Sequence, residues 1–170
     1  TRVVPGQHKN GIFTANSDEH DEYGYSSEDI DNRNAMSQKR LCKERTYKSS
    51  MPLPGLYGPE DAELTVVCWG STKTMALEAM TWLNDEGRKV NVLHLTHLSP
   101  FPKDHVQYVL SRAKCVLDVE HNATGQMADV IRMHTGVLIE HRLLKNDGRP
   151  LYPEEIADKA RELTEVASDD

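Results

Sequence analysis

Residues 113–136 read AKCVLDVEHNATGQMADVIRMHTG, and this stretch decides the fold. Its first part, Cys115-Val116-Leu117-Asp118-Val119, is short, mostly apolar and rich in β-branched residues, the pattern of a buried strand. From Met127 to His134 the period changes. Met127, Val130, Ile131 and His134 fall on one face of a helix. Between the two lies Glu120-His121-Asn122-Ala123-Thr124-Gly125-Gln126, a polar loop with room only to turn. A strand that runs straight into a helix places such a loop at the carboxyl end of the sheet, beside the helix's first N–H groups. In open α/β sheets that is the end where ligands and partners are met.

Working outward, the same rhythm repeats. Leu64–Trp69 reads as a buried strand stopped by Gly70-Ser71, and Ser71 or Thr72 is placed to cap a helix that ends at Gly87. Lys89–Leu98 holds a second strand, centred on Val90–Leu95, and Val106, Val109 and Leu110 mark a short helix after the turn at Pro100-Phe101-Pro102. A helix over 124–135 follows the strand at 115–119. A fourth strand is expected over about Val137–Leu144, then a turn at Asn146-Asp147-Gly148. A last helix starts at Pro153 and carries Ile156, Ala160, Leu163 and Val166 on its apolar face. Strands separated by helices predict an α/β fold: a three-layer, mainly parallel open sheet of about 4–5 strands across residues 63–170.

The segment before it is different. Residues 49–62, SSMPLPGLYGPEDA, hold three prolines and two glycines and read as a linker. Residues 1–48 read as an extended arm followed by a helix. Ser26-Ser27-Glu28-Asp29 supplies a cap and acids for its first turn. The helix is expected to run to about Tyr47 with Lys39, Arg40, Lys43, Arg45 and Lys48 toward its end, and its apolar face (Ile30, Met36, Leu41) is thin. Ahead of it Asp18-Glu19-His20-Asp21-Glu22 is an acidic cluster. It reads as a solvated or ion-paired loop, with a hard-cation site as the sharper alternative. The basic helix end is available to pair with it.

Composition bounds the function. The chain has 170 residues, 38% of them hydrophobic, and a net charge of -7; its mean hydropathy is -0.62. Without a long basic run, that acidity argues against nucleic-acid binding. No stretch approaches a membrane span and no signal peptide opens the chain, so a soluble, cytoplasmic protein with no membrane partner is expected. The missing initiator Met reads as a fragment or processed product. Cys42, Cys68 and Cys115 are odd in number and scattered; two fall in strands, where a small buried hydrophobe is the natural reading. Gly70-Ser71-Thr72 lacks the rest of any phosphate-loop signature and reads as a capped helix start. His94 and His97 are three apart on a strand and point to opposite faces, which excludes a shared metal. No Ser or Cys stands in a nucleophile-elbow setting. What remains is Glu120, Asn122, Thr124, Gly125 and Gln126, for which a helix cap and a functional edge are equal readings.

Val119-Glu120-His121-Asn122-Ala123-Thr124-Gly125-Gln126 resembles the V-E-x-N-x-T-G-Q segment of the α subunits of 2-oxoacid:ferredoxin oxidoreductases, especially the 2-oxoglutarate type. Further similar pieces lie in the same order. They are Val3-Val4-Pro5-Gly6, Glu19-His20-Asp21-Glu22-Tyr23-Gly24, Met36 with Lys39-Arg40 and Lys43, Tyr57-Gly58 with Trp69-Gly70-Ser71-Thr72, Leu98-Ser99-Pro100-Phe101-Pro102, and Asp147-Gly148-Arg149-Pro150. One departure is His121, where the family often has Asn or another polar residue.

The resemblance implies the C-terminal portion of such an α subunit, with a transketolase C-terminal-like domain after an arm leading from a pyrimidine-binding domain. It implies a heteromeric enzyme that oxidatively decarboxylates a 2-oxoacid, 2-oxoglutarate in the subgroup the motif resembles, to an acyl-CoA while reducing ferredoxin. Its partners would be a β subunit, a second α subunit and ferredoxin. Thiamine diphosphate, Mg, a 4Fe–4S cluster and CoA would belong to the full enzyme, with no cofactor, metal or catalytic residue in this chain and no turnover by it alone. Glu120, Asn122, Thr124, Gly125, Gln126, Gly70 and Ser71 would form an interface or ligand-facing edge. Glu120's charge speaks against an anion there, which leaves ordering of the subunit interface. The alternatives are a non-catalytic assembly module and the C-terminal domain of a 2-oxoacid dehydrogenase β subunit.

Overall fold

Three six-residue runs, Leu64–Trp69 (β2), Val90–Leu95 (β3) and Cys115–Glu120 (β4), make the centre of the sheet. They can lie there because nearly every residue in them is buried, on both faces. The structure is a computed structural model and describes Val4, residues 6–11 and residues 17–166; Val3 and Pro5 of the resemblance, and the Val166 side chain, lie outside the described residues. The chain divides into two units, Thr1–Met51 and Pro52–Asp170.

In the second unit the strand order is β1-β3-β2-β4-β5, where β1 is Gly55–Tyr57 and β5 is His141–Leu144. Pairings β2–β3, β2–β4 and β4–β5 are parallel, and β1 adds an antiparallel edge to β3. The fold is therefore α/β with a five-stranded, mostly parallel open sheet. β1 lies inside the Pro-rich stretch expected to be only a linker.

Each face has its own core. Val66, Cys68, Val92, Leu117 and Val119 meet Ala76, Ala79 and Leu83 of α2 (Lys73–Asp85) and Ile156, Ala157 and Ala160 of α5 (Pro153–Val166). On the opposite face Val67, Leu93 and Leu95 pack with Val106, Val109 and Leu110 of α3 (Lys103–Leu110) and with Met127, Ala128 and Ile131 of α4 (Gln126–Thr135). Alternation along β4 sends Leu117 and Val119 one way and Val116, Asp118 and Glu120 the other, toward α4.

Several expectations are corrected. The fourth strand begins at His141, not Val137, because its ladder to β4 starts with Leu117 opposite His141; Ile139 instead drops into the α3/α4 core. Neither Ser71 nor Thr72 caps α2. Thr72 is already helical inside the Gly70–Thr72 3-10 turn, so its hydroxyl donates back to the Trp69 carbonyl at 2.7 Å. β3 stops at Leu95, which leaves His97 outside the strand.

In the first unit α1 (Ile30–Ser50) starts later than expected and runs three residues further. Asp29, not Ser26 or Ser27, is the cap, accepting from Asn32 N–H at 2.8 Å. α1 buries no residue. The acidic loop turns at Asp21, whose Oδ1 accepts from Tyr23 and Tyr25 N–H at 2.9 and 3.0 Å. Glu19 and Arg40 form a two-pronged ion pair, both contacts 2.7 Å, and that hydrogen-bonded guanidinium holds the Glu19 carboxyl down at about 2.

Candidate functional site

At the carboxyl end of β4 the chain meets an α-helix whose first N–H groups have no partners within the helix. Glu120, the last strand residue, points at them. Oε1 accepts from Met127 N–H at 2.8 Å and Ala128 N–H at 3.2 Å. Oε2 accepts from Trp69 Nε1–H at 3.0 Å and Asn122 Nδ2–H at 2.7 Å. Asn122 Oδ1 then accepts from the N–H groups of Thr124, Gly125 and Gln126 at 3.1, 2.7 and 3.4 Å. Two side chains thus engage the N–H groups of residues 124–128 and tie the end of β2 to the end of β4. Burial raises the Glu120 pKa, but hydrogen bonds from Asp118, Met127 N–H, Asn122 and Trp69 outweigh it and hold the carboxyl below its ordinary value.

Glu120 is 0% exposed. This corrects the expectation that Glu120, Asn122, Thr124 and Gln126 are presented outward together. A carboxylate leaving a buried strand beside four N–H donors is stabilised by turning in. Thr124 and Gln126 are exposed, Asn122 is half-buried and Gly125 is buried. Gly125 has φ +72°, and a Cβ there would lie 2.6 Å from Arg142 Nη1; only glycine combines that turn with that approach.

Three residues complete the site that pattern reading passed over. Asp118, two before Glu120 and on the same face, is also 0% exposed, and neither of its oxygens reaches a donor. Burial, then a proton shared with Glu120 and repulsion by its charge, push Asp118 up to about 8. Two acids at alternate positions of a buried strand were the available signal. Arg142, opposite Asp118 on β5, clamps the loop from outside. Its Nη1 donates to Thr124 O at 3.0 Å and its Nη2 to Asp129 Oδ1 at 3.0 Å. Trp69 closes the buried-strand pattern of β2, yet it is only half-buried and its indole N–H donates to the Glu120 carboxylate. Gly70 and Ser71 lie across from the loop and, with Trp69, Thr72 and His121, line a cavity of about 120 Å³. Among the described residues no group of three or more His, Cys, Asp or Glu side chains is arranged to hold a metal.

The model of the pyruvate:ferredoxin oxidoreductase core domain II family matches residues 62–156. The chain belongs to the 2-oxoacid:ferredoxin oxidoreductase α-subunit family. It is 40% identical over 157 residues to the α subunit of 2-oxoacid:ferredoxin oxidoreductase 1 of Aeropyrum pernix, covering 89% of this chain and 25% of that one. It is 37% identical over 142 residues to the α subunit from Saccharolobus solfataricus, covering 82% and 22%. A solved structure, 2-oxoglutarate:ferredoxin oxidoreductase from Magnetococcus marinus with 2-oxoglutarate, coenzyme A and succinyl-CoA bound, superposes with a TM-score of 0.72 at 28% identity, covering 94% of this chain and 28% of that one. The chain thus spans about a quarter of the length of these two relatives. Trp69, Glu120, Asn122 and Arg142 all fall within the matched residues 62–156.

Proposed function

We propose that this chain forms part of the α subunit of an enzyme that oxidatively decarboxylates a 2-oxoacid to an acyl-CoA and reduces ferredoxin. We favour 2-oxoglutarate as the substrate, in line with the bound molecules of the Magnetococcus marinus relative. The ferredoxin-linked relatives favour this reading over a 2-oxoacid dehydrogenase β subunit. We assign thiamine diphosphate, its metal, the iron–sulfur cluster and CoA to the full enzyme, and no step of the reaction to this chain's residues. Its role is assembly and the shaping of an edge that faces the catalytic interface, with a β subunit and a second α subunit as partners.

One observation carries that role. The loop's inner groups are fully used by Glu120 and Asn122, whereas the exposed side chains of Thr124 and Gln126 have no hydrogen-bond partner among the described residues. An inward-braced loop holds those outer groups in fixed positions for a neighbour. In the assembled oxidoreductase, Thr124→Ala and Gln126→Ala should lower turnover or weaken assembly while leaving the unfolding midpoint of the isolated chain unchanged. Asn122→Ala should lower both. Wild-type assembly and turnover in the first two variants would leave the loop as a helix cap and nothing more.

A further inference from the structure

A second cavity, of about 500 Å³, opens on the same edge of the sheet and is lined by Ser71, His121, Lys145, Asn146 and Arg149 with the Gly148–Pro150 turn. Its place follows from topology. β2 connects to β3 on one side, and the next crossover returns to β4 on the other, so the chain reverses direction between β2 and β4. Ser71 follows the carboxyl end of β2 and His121 follows that of β4. A crevice at such a reversal point is where open α/β sheets take ligands.

The lining is rich in donors that the fold itself leaves open. The Ser71 hydroxyl, the Asn146 amide and the Arg149 guanidinium make no hydrogen bond or ion pair with another side chain among the described residues. His121 Nε2 accepts from Leu151 N–H at 2.7 Å, so the neutral ring carries its proton on Nδ1, a further donor. Lys145 is paired with the Glu155 carboxylate at 2.8 and 2.9 Å, so the pair adds no net charge to the rim. Glu120 turns away into α4, and Asp147 Oδ1 is held by Arg149 N–H at 3.0 Å. The cavity therefore gathers one guanidinium without an ion-pair partner among the described residues and three neutral donor groups.

We propose that this crevice binds a phosphate group. A guanidinium fork beside a hydroxyl, an amide and an imidazole N–H supplies donors for a tetrahedral oxyanion. The proposal does not rest on the function proposed above, since all its residues lie in one unit of this chain.

The test is calorimetric titration of the 170-residue chain at constant ionic strength with inorganic phosphate, adenosine 5′-monophosphate and glutarate. Saturable 1:1 binding of a phosphate-bearing probe, with glutarate at least about tenfold weaker, is expected. Tighter binding of the nucleotide identifies a phosphate ester as the ligand; equal binding identifies free phosphate. Arg149→Ala and Ser71→Ala, both at exposed positions, should each weaken binding by about tenfold or more with unchanged circular dichroism. Lys114→Ala, an exposed cation just before the amino end of β4, should not. No saturable binding, equal affinity for glutarate, or equal loss in the Arg149 and Lys114 variants would overturn the proposal.

Discussion

Replacing Glu120 by Gln changes one oxygen into an amide and removes one charge, and the structure says what that costs. If the amide takes the Oε2 position, it faces the indole N–H of Trp69 and the Asn122 amide, two donors that now sit 3.0 and 2.7 Å from a third. If it takes the Oε1 position, Ala128 N–H loses its acceptor and Met127 N–H keeps only the longer of its two contacts, 3.0 Å. Either way about two donors are left unmatched. A buried donor without a partner costs about 1–3 kcal/mol, the lower part of the range where water can reach it, as at the half-buried Trp69. Loss of the charge–helix attraction adds about 0.5 kcal/mol. The sum is about 2–4 kcal/mol, a large share of the roughly 5–15 kcal/mol that a domain has. Urea unfolding of the 170-residue chain should show that loss at unchanged denaturant dependence. Glu120→Ala, which strips the acceptor from all four groups, should be worse. A Gln variant within about 0.5 kcal/mol of wild type would refute the reasoning, because the N–H groups of α4 would then be satisfied without the carboxylate.

Asp118 makes a pH prediction: its pKa of about 8 lies above its ordinary value of 3.8, so between those values the folded chain holds a proton that the unfolded chain has released. Its contribution is complete below about pH 4 and is lost as pH rises toward 8, by at most about 1.4 kcal/mol per unit; Asp118→Asn should gain on wild type over that window and level off above it, and a pH-independent difference would count against the shared proton. Gly125→Ala, which forces a side chain into a left-handed conformation and onto Arg142, should cost about 1–2 kcal/mol in the same unfolding assay, and a neutral effect would mean the loop has another conformation. Removing the Arg142 clamp with Arg142→Ala should speed hydrogen exchange of amides 121–126 more than that of β4, and uniform acceleration would speak against a local clamp. A chain of residues 52–170 should unfold in a single cooperative transition without residues 1–51, and a molten product would show that the first unit supports the core.

How much of this was legible beforehand depended on whether the signal was local. β2, β3 and β4 stand out because continuous apolar β-branched runs have few other uses, and α5 announces itself through Pro153 and the acids behind it. β1 left no such trace: Gly55-Leu56-Tyr57 lies among prolines, and it is a strand only because Leu93 and its neighbours on β3 offer an open edge. Val137–Ile139 looked like a strand and is not one, since the ladder to β4 is set by register and not by β propensity. Glu120 stands at the loop as the pattern implies, but it faces inward. A polar residue after an apolar run is read as exposed, and the donors that draw it inward, on Trp69, Asn122 and α4, come together only in three dimensions. The parity of Asp118 and Glu120 with buried-face Val116 was the one hint available in one dimension.

The segment 119–126 that resembles the oxidoreductase motif therefore divides by physical task. Val119 fills the core, Glu120 and Asn122 saturate the start of α4, Gly125 supplies the one backbone conformation that lets Arg142 close over the turn, and His121 holds the entry to α5 through Leu151. Each of these would be required by a helix cap with no function at all. Thr124 and Gln126 are different, because their side chains do nothing for the fold among the described residues while their positions are fixed by everything around them. The same holds for the Ser71 hydroxyl across the cavity. If the edge has a task in the assembled enzyme, these outward groups carry it, and the inward ones matter only by holding them still. Substitutions at Glu120 or Asn122 that impair turnover would therefore not separate the two roles, whereas loss of turnover in a fully stable Gln126 variant would.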